Sequence, residues 1–241
     1  MTTSIATTSR PALTPEGYGH TRRIARIAGA SYLLMFVLAI VGNFVAVESL
    51  VVDGDAAATT ANIAESPSLL QVGIAAFAAI VLLDVFLSWA LYAVFRSVDR
   101  RLAQVMGWFR LVYSVVLGVG VAFLVQALNV ATDAASQVVR AEETMRAVET
   151  FQTTWLLGLV LFGLHLVLLG TLVVRSGFAP KVLGFLLAFA GVAYAVDTAA
   201  RFMLPDYDAV AGIFLVLVAL PSMVGEGWLG IWLLGSRRIP A

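Results

Sequence analysis

Six long apolar stretches separated by short polar ones set the plan of this 241-residue chain, at about 24–46, 69–95, 102–131, 152–174, 182–204 and 211–235. Each reaches the ~20 residues that an α-helix needs to cross a bilayer. The second and third exceed a straight span, which predicts tilt or extension beyond the bilayer. The polar punctuation is uneven. RSVDRR and RSGFAPK are short turns that force the helices around them to lie antiparallel. The connections at 53–66 and 134–149 are longer, Ala-rich and poor in Pro, and predict short surface helices at the outer headgroups. Residues 1–20 are rich in Thr, Ser and Pro without apolar periodicity, which reads as a disordered cytoplasmic tail ahead of one domain, 21–241. The first stretch reads as an uncleaved anchor, because its polar lead and apolar run are longer than those of a signal peptide and no clear small-residue cleavage site follows. The expected fold class is therefore all-α: an integral membrane bundle of six transmembrane helices, with short cytoplasmic turns and longer external loops.

Composition agrees with this plan. Hydrophobic residues make up 61% of the chain, charged residues 12%, and the mean hydropathy is +0.94, whereas soluble domains carry about 25% charged residues. With no cysteine, a disulfide frame and a thiolate metal site are excluded. The net charge of zero hides an asymmetry. One set of flanks holds Arg22, Arg23, Arg26, Arg96, Arg100, Arg101, Arg175, Lys181, Arg237 and Arg238, while the opposite set is dominated by acids from Glu48 and Asp53 to Asp206 and Asp208. The positive-inside rule places the basic side and both termini in the cytoplasm, at a plasma membrane.

Three of the stretches each carry an ionisable residue at nearly the same distance from their basic flank. Asp84 lies 96 − 84 = 12 positions before Arg96, His165 lies 175 − 165 = 10 before Arg175, and Glu226 lies 237 − 226 = 11 before Arg237. At ~1.5 Å per residue they share a depth of roughly 15–18 Å, near the bilayer midplane. Arg110, 110 − 101 = 9 residues into the antiparallel third helix, lies about 4 Å nearer the basic side than Asp84. An unpaired charge at that depth costs ~2.5–3.5 kcal/mol, so the four residues are expected to pair, become neutral or face a wet cavity. Asp84–Arg110 is the natural ion pair, either a clamp between two helices or a resting state in which Arg110 awaits an anionic head group. Ser88 shares a face with Asp84, and Tyr113 and Ser114 share one with Arg110. His165 and Glu226 are suited to proton exchange, with Ser222 on the face of Glu226; the bland alternative is a His165–Glu226 hydrogen bond that glues two helices.

Other candidates carry weaker signals. Asp197 and Arg201 stand at i, i+4 near the outer face with Tyr194 one turn earlier, a spacing that is usually structural. Asp53-Gly-Asp55 resembles a fragment of a calcium loop but fits better as a helix cap. Asp84, His165 and Glu226 could make an N,O,O metal site, although no metal-binding spacing supports it, and no metal or cofactor is expected. Trp108 and Trp232 suit the cytoplasmic interface and Trp155 the outer one. Pro221 is expected to kink the sixth helix one turn before Glu226. Walker loops, dinucleotide fingerprints and a basic aromatic surface for nucleic acid are missing from the sequence.

The stretches "RIAGASYLLMFVLAI", "VVDGDAAATTANIAESPSLLQVGIAA", "LLDVFLSWALYAVFRSVDRRLA", "FGLHLVLLGTLVVRSGFAPKVLG", "AGVAYAVDT" and "PSMVGEGWLGIWLL" together resemble the bacterial integral membrane family catalogued as domain of unknown function 4386, over about residues 24–235. The resemblance implies six spans and places Asp84, His165, Asp197 and Glu226 in family motifs, without a role for any of them. Three readings stay open. The first is a midplane site that binds a small or lipid-like ligand, hydrophobic or amphipathic, and handles protons. The second is an embedded enzyme using a buried carboxylate on an isoprenoid or lipid substrate. The third is a structural or partner-binding membrane protein. Membrane lipids are the expected partners; the oligomeric state is open.

Overall fold

The computed structural model describes residues 15–133 and 137–239. Their order is α1 (Pro15–Ala39), a π-helical stretch (Ile40–Val47), α2 (Glu48–Leu50), α3 (Ala56–Glu65), α4 (Pro67–Phe95), α5 (Arg100–Ala131), α6 (Gln137–Ser176), α7 (Lys181–Met203), a 3₁₀ turn (Tyr207–Ala209) and α8 (Ala211–Gly235), with no strand among the described residues. Six of these segments are long and apolar enough to cross a membrane: Thr21–Leu50, α4, α5, Val138–Ser176, α7 and α8. Burial is inverted relative to a water-soluble bundle. Leu82 is 72% exposed on the outside while Arg110 is 0% exposed within, as expected where lipid takes the place of water around the bundle. The protein is a multi-pass membrane bundle.

The spans form a ring. Each packs on its neighbours in the chain, and α8 returns to pack on α1. The basic turns gather at one end, where the Asp99 carboxylate meets Arg175 at 3.8 Å, Phe178 stacks on both Phe95 and Trp232, and Arg22 Nε donates to the Ile239 carbonyl. At the acidic end α3 packs on α4, α5 and α6. The Asp55 carboxylate caps α3 by accepting from Ala58 N at 2.8 Å, and Gly54 supplies the positive φ of 74° that the turn before it requires. Thr59 and Asn62 then tie α3 to the chain end after α2, through Val52 and the Leu50 carbonyl.

The sequence reading needs one correction here. Residues 137–149 are not a separate surface helix, because α6 runs unbroken from Gln137 to Ser176. The helix expected at 53–66 exists as α3, which buries Thr59, Thr60 and Ile63 against the bundle and leaves Ala57, Ala61 and Glu65 exposed on its other face. The tail expected over 1–20 lies outside the described residues as far as 14, and residues 15–20 already belong to α1. Trp155 is partly buried. It packs with Phe77 and Phe151 and donates its indole N–H to the Tyr113 hydroxyl. Pro221 lies inside α8 without ending it.

Glycines set the closest helix contacts. Gly163 and Gly170 on α6 face Gly191 and Gly184 on α7, and a Cβ at any of the four would overlap backbone of the opposite helix. The seven-residue spacing on both helices repeats the contact two turns on, which is how small residues bring membrane helices together without a hydrophobic drive. Gly29 on α1 meets the Gly230 carbonyl on α8 in the same way, where an added Cβ would lie 2.5 Å away. That contact closes the ring.

Candidate functional site

Arg110 is the centre of the bundle. It sits on α5, and its side chain crosses the ring interior to reach three other helices. Nη2 meets the Asp84 carboxylate on α4 at 2.5 Å and lies 3.8 Å from Met35 Sδ on α1. Nη1 donates to the Tyr32 hydroxyl on α1 at 2.8 Å and to His165 Nε2 on α6 at 3.0 Å. The guanidinium also stacks between two rings, 5.0 Å from the Tyr32 centroid and 5.4 Å from that of Phe162. Asp84, Arg110 and His165 are all completely buried. A planar fork with five donors suits this position, since a lysine ammonium offers no comparable spread to three helices.

The pattern defines the state of His165. Nδ1 lies 3.0 Å from the Met106 carbonyl, which can only accept, so Nδ1 carries the hydrogen. Nε2 therefore keeps its lone pair and accepts from Arg110. A neutral ring with both nitrogens engaged is a brace, not a free proton carrier. A guanidinium also stands between Asp84 and His165, in the place that a metal ion would need.

The expected Asp84–Arg110 pair forms. The His165–Glu226 pair does not. In the ring α7 stands between α6 and α8, while α5 is the direct neighbour of α6. Glu226 is half-buried, and among the described residues no hydrogen bond or salt bridge reaches it. It remains within electrostatic range of Arg110 and Asp84, of Tyr32 and of Tyr194. Beyond the ion pair at Asp84 Oδ1, the knot leaves Asp84 Oδ2 and Arg110 Nε buried without a hydrogen-bond partner among the described residues.

The secondary candidates are mostly occupied with packing. Ser88 Oγ donates to the Gly107 carbonyl at 2.7 Å and pins α4 on α5. Ser114 and Ser222 bond carbonyls one turn back, on Arg110 and Val218. Tyr113 packs on Phe162 and accepts from Trp155. Tyr32 was missed by the sequence reading, yet a signal existed. It lies 32 − 23 = 9 residues past Arg23, the same depth at which Arg110 lies past Arg101.

The family model described as "Domain of unknown function (DUF4386)" matches residues 27–235, nearly all of the membrane part. The chain belongs to the DUF4386 family. An uncharacterized protein of the archaeon Archaeoglobus fulgidus is 30% identical over 159 residues, covering 66% of this chain and 80% of the relative. No solved structure matches the chain.

This DUF4386 chain carries a second polar cluster at its acidic end. Asp197 on α7 accepts from the Tyr207 hydroxyl at 2.5 Å and from Arg201 Nε at 3.4 Å, and the Arg201 guanidinium lies 4.5 Å from the Tyr207 centroid. Burial first, and then the hydrogen bond to Asp197, push Tyr207 up to about 12. The arrangement ties the 3₁₀ turn onto the end of α7.

Proposed function

We propose that the protein binds a small or lipid-like ligand within the membrane, and that Glu226 is the group that meets the ligand and exchanges a proton. One observation carries this reading. Of the four midplane residues, three are locked into one buried knot, and Glu226 alone has no partner among the described residues. An isolated carboxylate at that depth is costly as an anion, so it carries a proton or faces a cationic or hydrogen-bond-donating group. Ser222 lies one turn before Glu226 on the same face of α8, Tyr194 on α7 is within electrostatic range, and the Tyr32 hydroxyl, already accepting from Arg110, has its own proton left to donate. The knot is then the rigid support and Glu226 the working group. The basic end and both termini are assigned to the cytoplasm by the positive-inside rule, at the cell membrane.

The test is mass spectrometry of the protein extracted from native membranes, paired with vesicles that enclose a pH dye. A small amphipathic molecule held by the wild type, weakened by Glu226→Gln and retained by Ser49→Ala, whose hydroxyl bonds carbonyls one turn back at the acidic end, is the expected result. A wild type with neither a bound molecule nor proton flux overturns the proposal. The second reading, an enzyme using Glu226 as general acid or base on an isoprenoid or lipid, rests on the same free carboxylate. An altered lipid complement in a deletion strain would favour it.

A further inference from the structure

A groove of about 430 Å³ opens between α4 and α5 on the outside of the bundle, away from Glu226. Its floor is the point where the two helices touch. Ser88 donates to the Gly107 carbonyl there, and a Cβ on Gly107 would come within 3.1 Å of the Ser88 carbonyl. Trp89 and Trp108 each follow one of these contact residues by one position. In an antiparallel pair, one step along each helix from a shared contact turns both side chains to the same side of the pair. The two indoles therefore stand as facing walls, 51% and 56% exposed.

Polarity changes along the groove in one direction. Arg100 and Gln104 line it at the basic end, together with Tyr92. The tryptophans come next, and Val85 and Leu111 line the deep end. From Arg100 to Leu111 is 111 − 100 = 11 residues, roughly 16 Å at 1.5 Å per residue. That order is the order of a phospholipid: phosphate, glycerol interface, acyl chain. Arg100 is exposed and has no acidic partner among the described residues, since nearby Asp99 caps α5 through Leu102 N and meets Arg175. The Ser88 hydroxyl is already used by the protein, so polar recognition falls to the basic end.

The geometry points to a site for one anionic glycerophospholipid of the leaflet at the basic end, with Arg100 and Gln104 on the phosphate and Trp89 and Trp108 along the first part of an acyl chain. Occupancy of this site does not depend on Glu226.

Nanodiscs of phosphatidylcholine containing phosphatidylglycerol as the probe, read by native mass spectrometry after release, test the site. The wild type is expected to retain one phosphatidylglycerol in preference to phosphatidylcholine. Losing one interfacial arginine is worth about 1 kcal/mol, so Arg100→Gln should lower that preference about fivefold. Trp108→Ala should lower retention of both lipids. Arg23→Gln, an exposed basic-end charge on another helix, should change neither, and excess inorganic phosphate should not compete. Equal retention of the two lipids by the wild type overturns the proposal. So does an equal loss in Arg23→Gln, which would mean general surface charge. A protein dimer in place of a lipid adduct, abolished by Trp108→Ala, also overturns it.

Discussion

Removing either partner of the Asp84–Arg110 pair should be far more damaging than removing both. Each side chain is completely buried, and the two meet at 2.5 Å. Asp84→Leu leaves a guanidinium with two neutral acceptors, Tyr32 and His165. Arg110→Met leaves a carboxylate with none among the described residues. Breaking a buried pair from one side costs ~3–5 kcal/mol, because the remaining charge stays desolvated. The double variant carries no charge and loses the bonds to Tyr32 and His165. At ~0.6–1.7 kcal/mol per interhelical hydrogen bond, its cost is about 1–3 kcal/mol, against about 6–10 for the sum of the singles. Equilibrium unfolding in mixed micelles, with helicity followed by circular dichroism, measures all four corners of the cycle. Additivity within ~0.5 kcal/mol would refute the reasoning, since it would mean that the two charges are not coupled.

Three further outcomes follow from other parts of the structure. Nitrogen NMR of His165 should show a protonated Nδ1 and an unprotonated Nε2, as the Met106 carbonyl and Arg110 require; the opposite tautomer would sink the assignment. Gly184→Ala should destabilise by ~1–3 kcal/mol, because its Cβ would fall 2.7 Å from the Gly170 carbonyl and backbone cannot move aside. Gly227→Ala, with nothing within 4 Å of its Cβ, should be neutral or stabilising by up to ~1 kcal/mol, and equal melting temperatures for the two variants would count against the glycine contacts. Tyr207 ionises at about 12 in the fold against an ordinary 10. Its folded value is raised, so its contribution is complete below pH 10 and disappears as pH climbs to about 12. The tyrosinate absorbance difference between the wild type and Tyr207→Phe reads this directly, and a midpoint at 10 would contradict it.

The sequence by itself determined the number of spans and their alternating direction, and its spacing put Asp84 and Arg110 at matching heights on neighbouring helices. Depth is a one-dimensional quantity, set by residue count and rise from a charged flank, and so it can be read from spacing. That is why the Asp84–Arg110 pair was legible, and why the same arithmetic would have found Tyr32. Only the tertiary structure decided which groups at one depth meet. Rotation about each helix and the order of helices around the ring come from close contacts such as Gly163–Gly191 and Gly29–Gly230, which depend on two distant segments at once. Those contacts put α7 between His165 and Glu226 and turned His165 to Arg110. They also absorbed Trp155 into an aromatic cluster. The shared depth of four costly residues suggested one site; packing divided it into a three-residue brace and one carboxylate left over, because a single guanidinium could satisfy Asp84, Tyr32 and His165 but not the residue on α8.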